Sequence, residues 1–129
     1  MIGGNTTVVL QVNTGFDMNK LCERVPAWHN VPVTTPDGKK TEWIGWLDFQ
    51  SGEARNSSYL ANIQESTHIF LSDFVVIPAT LEVDGKIVKV TSENTRMMAN
   101  SQLYDVKLID DPMNLHEQLE VYLKYTGGQ

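Results

Sequence analysis

The stretch Leu103–Gly127, LYDVKLIDDPMNLHEQLEVYLKYTG, decides how the rest of the chain is read. Two apolar-rich runs, Leu103 to Ile109 and Leu119 to Tyr125, flank Asp110-Asp111-Pro112-Met113-Asn114. Proline fixes its own φ and drives the residue before it out of the α region, while Asp and Asn side chains bond nearby backbone amides, so the flanked segment is a turn. In the first run Tyr104, Val106 and Leu108 alternate with Asp105, Lys107 and Ile109. In the second, Leu119, Val121, Leu123 and Tyr125 alternate with Glu120, Tyr122 and Lys124. A period of two marks half-buried strands. Leu115, Leu119, Tyr122 and Leu123 also fit one helical face, but the β-branched and aromatic content favours a pleated surface.

Working back toward the N-terminus, Leu81-Glu82-Val83 and Lys86 to Thr91 flank Asp84-Gly85, the dipeptide suited to a type I′ hairpin that needs positive φ at both central residues. Ser66 to Val76 reads as a strand before Pro78, and Glu93 to Ser101 as a polar connection. Glu42 to Phe49 is a strand with Trp43, Gly45, Leu47 and Phe49 on one face and Ile44, Trp46 and Asp48 on the other. Aromatics on both faces imply that both are covered at least part of the time. Thr6 to Val12 is a β-branched first strand. Asp17 to Val25 spaces Met18, Leu21, Cys22 and Val25 as a short helix, with Asp17 as N-cap and Pro26 as stop.

Between the strands, Ser51 to Asn62 breaks the pattern: it is small, polar, aperiodic and longer than a hairpin connection. Long loops in compact domains carry function or are disordered, so this is the candidate working loop. About five to seven short strands with little helix predict one mainly-β domain over 1–129, a small antiparallel barrel or sandwich.

Charge and composition narrow the function. The net charge is −6, from 16 acidic and 10 basic residues. The excess is concentrated after Gln64, where ten acids stand against five bases, compared with six against five before it. A phosphate backbone is held by Lys and Arg, so specific nucleic-acid binding is disfavoured, whereas an acidic surface that DNA passes without sticking is allowed. The single cysteine, Cys22, precludes an internal disulfide and fits assembly in a reducing compartment. No basic leader and no long apolar run are present, so neither a signal peptide nor a membrane span is expected.

Candidate chemistry is sparse. Asp110 and Asp111 could ligate a metal or share a proton, but an Asp-Pro turn accounts for Asp111 without chemistry. His29, His68 and His116 stand far apart, with no zinc spacing to Cys22. A nucleophile elbow, a phosphate-cradling glycine loop and a Cys-x-x-Cys are absent. Trp28, Trp43, Trp46, Phe49 and Tyr59 could be drawn as a base-stacking platform, but Glu42 and Asp48 stand where such a platform needs bases. Core or subunit-interface packing suits them better. Arg55 and Tyr59 on the long loop are residue types favoured at protein interfaces. No enzyme activity and no cofactor are expected; an assembly or binding role is.

From Asp110 to Glu120, DDPMNLHEQLE, the sequence resembles the ending of the head-closure proteins of long-tailed bacteriophages, also called head-completion, stopper or head–tail joining proteins. Asp84-Gly85-Lys86-Ile87-Val88-Lys89-Val90 resembles the hairpin upstream of that ending, and Ser51 to Asn62 followed by Thr67-His68-Ile69-Phe70-Leu71 resembles the family's long loop and next strand. The resemblance covers roughly the last two thirds of the chain, with Asp110, Asp111 and Pro112 as its family-like turn.

The resemblance implies a structural protein of the virion neck, assembled in the bacterial host's cytoplasm as a homo-oligomeric ring of roughly 12 or 6 subunits. Such a ring sits beneath a portal-adaptor ring, passes double-stranded DNA without specific binding, retains the packaged genome and offers the tail a docking surface. It makes Ser51, Gly52, Glu53, Ala54, Arg55, Asn56, Ser57, Ser58, Tyr59 and Leu60 the gating candidates, with Glu53, Arg55 and Tyr59 foremost. A tail-terminator subunit and a single-strand nucleic-acid-binding barrel are the alternatives.

Overall fold

The two alternating runs of the C-terminal stretch pair as antiparallel strands, and around them a barrel closes. The structure, a computed structural model, describes residues 2–18, 21–49 and 67–128. Its strands are β1 (Thr6–Met18), β2 (Arg24–Val31), β3 (Val33–Thr34), β4 (Lys40–Thr41), β5 (Trp43–Phe49), β6 (His68–Asp73), β7 (Thr80–Val83), β8 (Lys86–Lys89), β9 (Thr95–Ala99), β10 (Gln102–Asp110) and β11 (Gln118–Gly128). Strands take 65% of the described residues and helical turns 6%, so the chain is mainly β. Among the described residues no helix is long and apolar enough to cross a membrane.

Six strands close an antiparallel barrel in the order β1-β5-β6-β11-β10-β9 and back to β1, with β2 as a seventh strand. β1 does double duty because it is long. One of its edges takes β9 through Val8 to Val12. The other takes β5 at Thr6 to Val8 and then β2 from Leu10 onward. Between β2 and β5 the chain leaves the wall as the short β3–β4 ribbon, which bonds back through Thr34 and Val76 (N···O 3.1 and 2.8 Å).

Closure puts one face of every barrel strand into a common core. Val8, Leu10 and Val12 of β1, Trp43 of β5, Phe70 of β6, Met97 of β9, Tyr104 and Val106 of β10, and Leu119, Val121 and Leu123 of β11 are buried together. The Trp43 and Phe70 rings meet edge to face at 5.7 Å, and the buried Trp43 indole N–H donates to Ser72 Oγ at 2.7 Å. A polar atom in an apolar core costs stability unless paired, so this bond lets a tryptophan sit there. Gly45 makes the room: a Cβ at that position would lie 2.7 Å from Phe70 Cζ and 2.2 Å from the Leu71 carbonyl oxygen.

β6 and β9 are three places apart in the closed order, so the segment joining them, 74–94, crosses one end of the barrel. Val75 enters the core, and Phe74, Ile77, Leu81, Val88 and Val90 pack against it. The crossover therefore works as an apolar plug. It contains the Asp84-Gly85 hairpin, with φ of 51° and 80° at those two residues as a type I′ turn requires. The β10–β11 turn lies at this same crossover end, while the β5-to-β6 connection and the β9–β10 turn lie at the opposite end.

Two sequence expectations are corrected. The helix over Asp17 to Val25 does not form: β1 runs on to Met18, which pairs with Arg24 at the start of β2. A nine-residue helix is marginal by itself, whereas continuing β1 gains a hydrogen-bonded partner at once. Cys22 adopts φ 59°, which no right-handed helix accommodates. The polar connection over Glu93 to Ser101 contains β9, whose Thr95, Met97 and Ala99 are buried.

Candidate functional site

The loop Ser51–Leu60, the gating candidate, lies outside the described residues. Its roots are described. Phe49 at the end of β5 pairs in register with His68 at the start of β6. Around His68 four rings gather at the barrel mouth. Phe49 meets His68 edge-on at 5.5 Å, His68 meets Tyr104 at 5.0 Å, and Tyr104 meets Tyr125 at 5.6 Å. Phe49 is 75% exposed while Tyr104 is buried, so the cluster runs from solvent into the core.

One hydroxyl ties His68 to the neighbouring strand β11 at this mouth. Thr67 Oγ1 accepts from the Tyr125 backbone N–H at 2.8 Å and lies 2.8 Å from His68 Nδ1. Burial lowers the His68 pKa from its ordinary value, favouring the neutral ring. Burial, and then the nearby Tyr125 phenol, raises that of Tyr104. The mouth is a neutral aromatic collar, built to anchor the strands that carry the loop. The five aromatics that sequence alone groups as a stacking platform are dispersed: Trp43 is core, Trp46 is on the outer wall, Phe49 is at the mouth, and Trp28 lies under the Arg96 guanidinium at 4.2 Å. Tyr59 lies outside the described residues.

The other candidates, Asp110, Asp111 and Pro112, sit at the crossover end. Asp111 is committed to structure. One carboxylate oxygen accepts from the His116 backbone N–H at 3.0 Å and the other pairs with the His116 ring nitrogen Nδ1. The His116 ring leans on Phe74 of the plug at 4.8 Å. Pro112 opens a one-turn 3-10 segment, Pro112–Asn114, in which Met113 and Asn114 take positive φ, 55° and 55°, and His116 just beyond it takes 57°. Each such residue costs on the order of 1 kcal/mol relative to a relaxed backbone, so the clamp holds a turn the chain would not adopt unaided. The clamped turn presents Met113, 87% exposed, and Leu115, 56% exposed.

Asp110 points elsewhere: it pairs in register with Glu120 across β10 and β11, and Glu120 is bonded by Tyr122 Oη at 3.0 Å and Gln118 Nε2 at 3.3 Å. The two adjacent aspartates therefore do not converge. Among the described residues no three of His, Cys, Asp and Glu gather as a metal-binding group.

The outer wall carries a feature that the sequence discloses only in part. Trp46 pairs with Leu71, Ile44 lies two residues from Trp46 on the same face, Val9 pairs with Met98, and Met98 pairs with Leu103. Together they mark an apolar stripe on the outer wall of β6, β5, β1, β9 and β10, interrupted on β1 by Thr7, the cross-strand partner of Ile44. Val9, Ile44 and Trp46 are each exposed by roughly two fifths (37%, 41% and 42%). The Trp46 indole N–H is spent on the Ile2 carbonyl at 3.0 Å, leaving its ring as apolar surface. Trp46 and Ile44 stand out in the sequence by alternation. Val9 and Met98 do not, because their register is set by partners far along the chain.

Beside the stripe a polar relay crosses three strands: Arg96 Nε donates to Gln11 Oε1 at 2.8 Å, and Gln11 Nε2 donates to Asn30 Oδ1 at 2.9 Å. A cleft of about 340 Å³ borders Trp28, with Glu93, Asp105 and Lys107 on its walls, a mixture of charges with no serine–histidine or cysteine–histidine pairing in it. No known protein-family model matches the chain, and no curated protein is significantly similar to it.

Proposed function

We propose that the chain is a ring-forming neck protein of a long-tailed bacteriophage, a head-closure subunit that retains packaged DNA and joins head to tail. The observation that carries the reading is the apolar outer stripe through Trp46, Leu71, Ile44, Val9 and Met98. A barrel fills its core with inward residues and needs no apolar outer wall for its own stability, so a stripe there suits burial against neighbouring copies.

Lateral association through the wall leaves both ends of the barrel free. One end bears the roots of the long loop, at Phe49 and His68; the other bears the clamped turn at Asp111 to His116. A subunit with a different surface at each end suits a connector between two unlike neighbours, an adaptor ring on one side and a tail on the other. The net charge of −6 supports passage of DNA without adhesion, since a wall of like charge repels the phosphate backbone. In this reading the protein is not an enzyme, takes no cofactor, and works in the virion.

The experiment is electron microscopy of lysates from a phage deleted for this gene. The expected result is DNA-free or leaking heads beside complete free tails, with infectivity restored by adding the purified protein. Heads that keep their DNA beside tails of irregular length would transfer the chain to the tail terminator. Normal infectious particles would overturn the virion reading.

A further inference from the structure

We infer that the β10–β11 turn is a preformed docking peg, with Met113 and Leu115 as its apolar tip, that seats in an apolar socket with a basic rim on one of the two particles the neck joins. The inference rests on the neck reading and adds which end docks, through which side chains, and against what chemistry.

The turn is bonded at its base and free at its tip. Its base is over-determined: Asp111 bonds both the backbone and the ring of His116, Asn114 N–H donates to the Asp111 carbonyl at 2.8 Å, and Phe74 N–H donates to the Glu117 carbonyl at 3.3 Å. Its tip is unused. Met113 and Leu115 are among the most exposed apolar side chains of the described residues, held at 87% and 56% exposure on a backbone with three left-handed non-glycine residues. Strain kept at an exposed turn with a hydrogen-bonded base and an apolar tip is the pattern of a pre-organised contact, because ordering it in advance lowers the cost of binding.

Charge selects the occupant. Between Leu108 and Leu123 the chain has four carboxylates, Asp110, Asp111, Glu117 and Glu120, and neither lysine nor arginine. Asp111 is paired with His116; the charge of the other three disfavours nucleic acid and an anionic lipid surface and complements a protein socket ringed by Lys and Arg. Geometry disfavours a second copy as the occupant. If the wall stripe faces neighbours within a ring, the ends of the barrel point along the ring axis, away from those neighbours.

The test uses purified full-length protein with the heads and the free tails of the deletion lysate, separated from one another. Binding of the wild type to each particle is compared with that of Met113→Asp/Leu115→Asp, Glu117→Lys and the conservative Met113→Leu. The double aspartate variant is expected to lose binding to one particle by roughly tenfold or more and to keep the other. Glu117→Lys is expected to weaken that same binding, and Met113→Leu to leave it within about threefold of wild type. The inference fails if the double variant binds both particles like wild type. It fails equally if both bindings are lost at an unchanged melting temperature, or if the variant loses only self-association in sedimentation. A wild-type Glu117→Lys response would remove the basic rim. Wild-type protein that binds neither particle would overturn the neck reading itself, a result distinct from all of these.

Discussion

The Thr67 hydroxyl and the His68 ring are hydrogen-bonded, 2.8 Å apart, at the root of the long loop. His68 faces Phe49, Tyr104 and Tyr125, and burial holds its pKa below the ordinary histidine value. The unfolded chain therefore binds a proton that the folded chain resists. Stability from this group is fully present above the unfolded pKa of about 6.5 and is lost as pH falls through the lower folded value. Melting temperature should drop between about pH 7.5 and about pH 5. In His68→Phe, whose ring keeps the packing, that part of the drop should vanish. An unchanged pH dependence in this variant would show that His68 does not carry it.

Gly45 and Phe70 are a second coupled pair. A methyl group at Gly45 would meet the Leu71 carbonyl at 2.2 Å, and a backbone atom of the neighbouring strand cannot swing aside as a side chain can. Gly45→Ala should destabilise the barrel by about 3 kcal/mol, read as a lower midpoint in urea unfolding. A shift below about 0.5 kcal/mol would mean that β5 and β6 separate more readily than this register implies.

Removing the clamp should free the crossover-end turn without unfolding the barrel. Asp111→Ala deletes both contacts to His116, one to its backbone N–H and one to its ring. His116 is exposed, so the cost should be only about 1 kcal/mol. Hydrogen exchange is the sharper readout: the amides of Asn114, Leu115 and His116 should exchange faster, with those of β10 and β11 unchanged. Equal exchange rates would show that Pro112 and the backbone bonds hold the turn alone.

Trp46 separates folding from assembly. Its ring lies on the outer wall and its one hydrogen bond runs to the Ile2 carbonyl, so Trp46→Arg should cost less than about 1 kcal/mol of stability. Self-association in sedimentation velocity should weaken by roughly tenfold or more. Self-association at wild-type strength would remove the stripe from the interface.

Much of the fold follows from local chemistry. Asp84-Gly85 forms the type I′ hairpin its residues call for, and Trp43 to Asp48 alternate inward and outward as their sequence alternates, whereas Phe49 at the barrel mouth is exposed. The C-terminal runs pair as strands, with one change: a register shift between Val106 and Leu108 turns Ile109 inward beside Val121. The acidic balance, the lone cysteine and the turn at Pro112 were equally plain, since each depends on residue type and near neighbours alone.

Features that need a distant partner take their form from the closed barrel. Thr95 to Ala99 has little strand character of its own and is a strand because β1 and β10 offer edges on both sides. Asp17 and Met18 have helical spacing and are a strand because β2 returns along them. Asp111 could not be told from a reactive carboxylate until His116 was brought against it, and Val9 could not be joined to Met98 until the barrel closed. The physical reason is common to all four. Local propensity amounts to tenths of a kcal/mol per residue, while a paired edge or a buried face contributes several times that, so where the two disagree the partner decides.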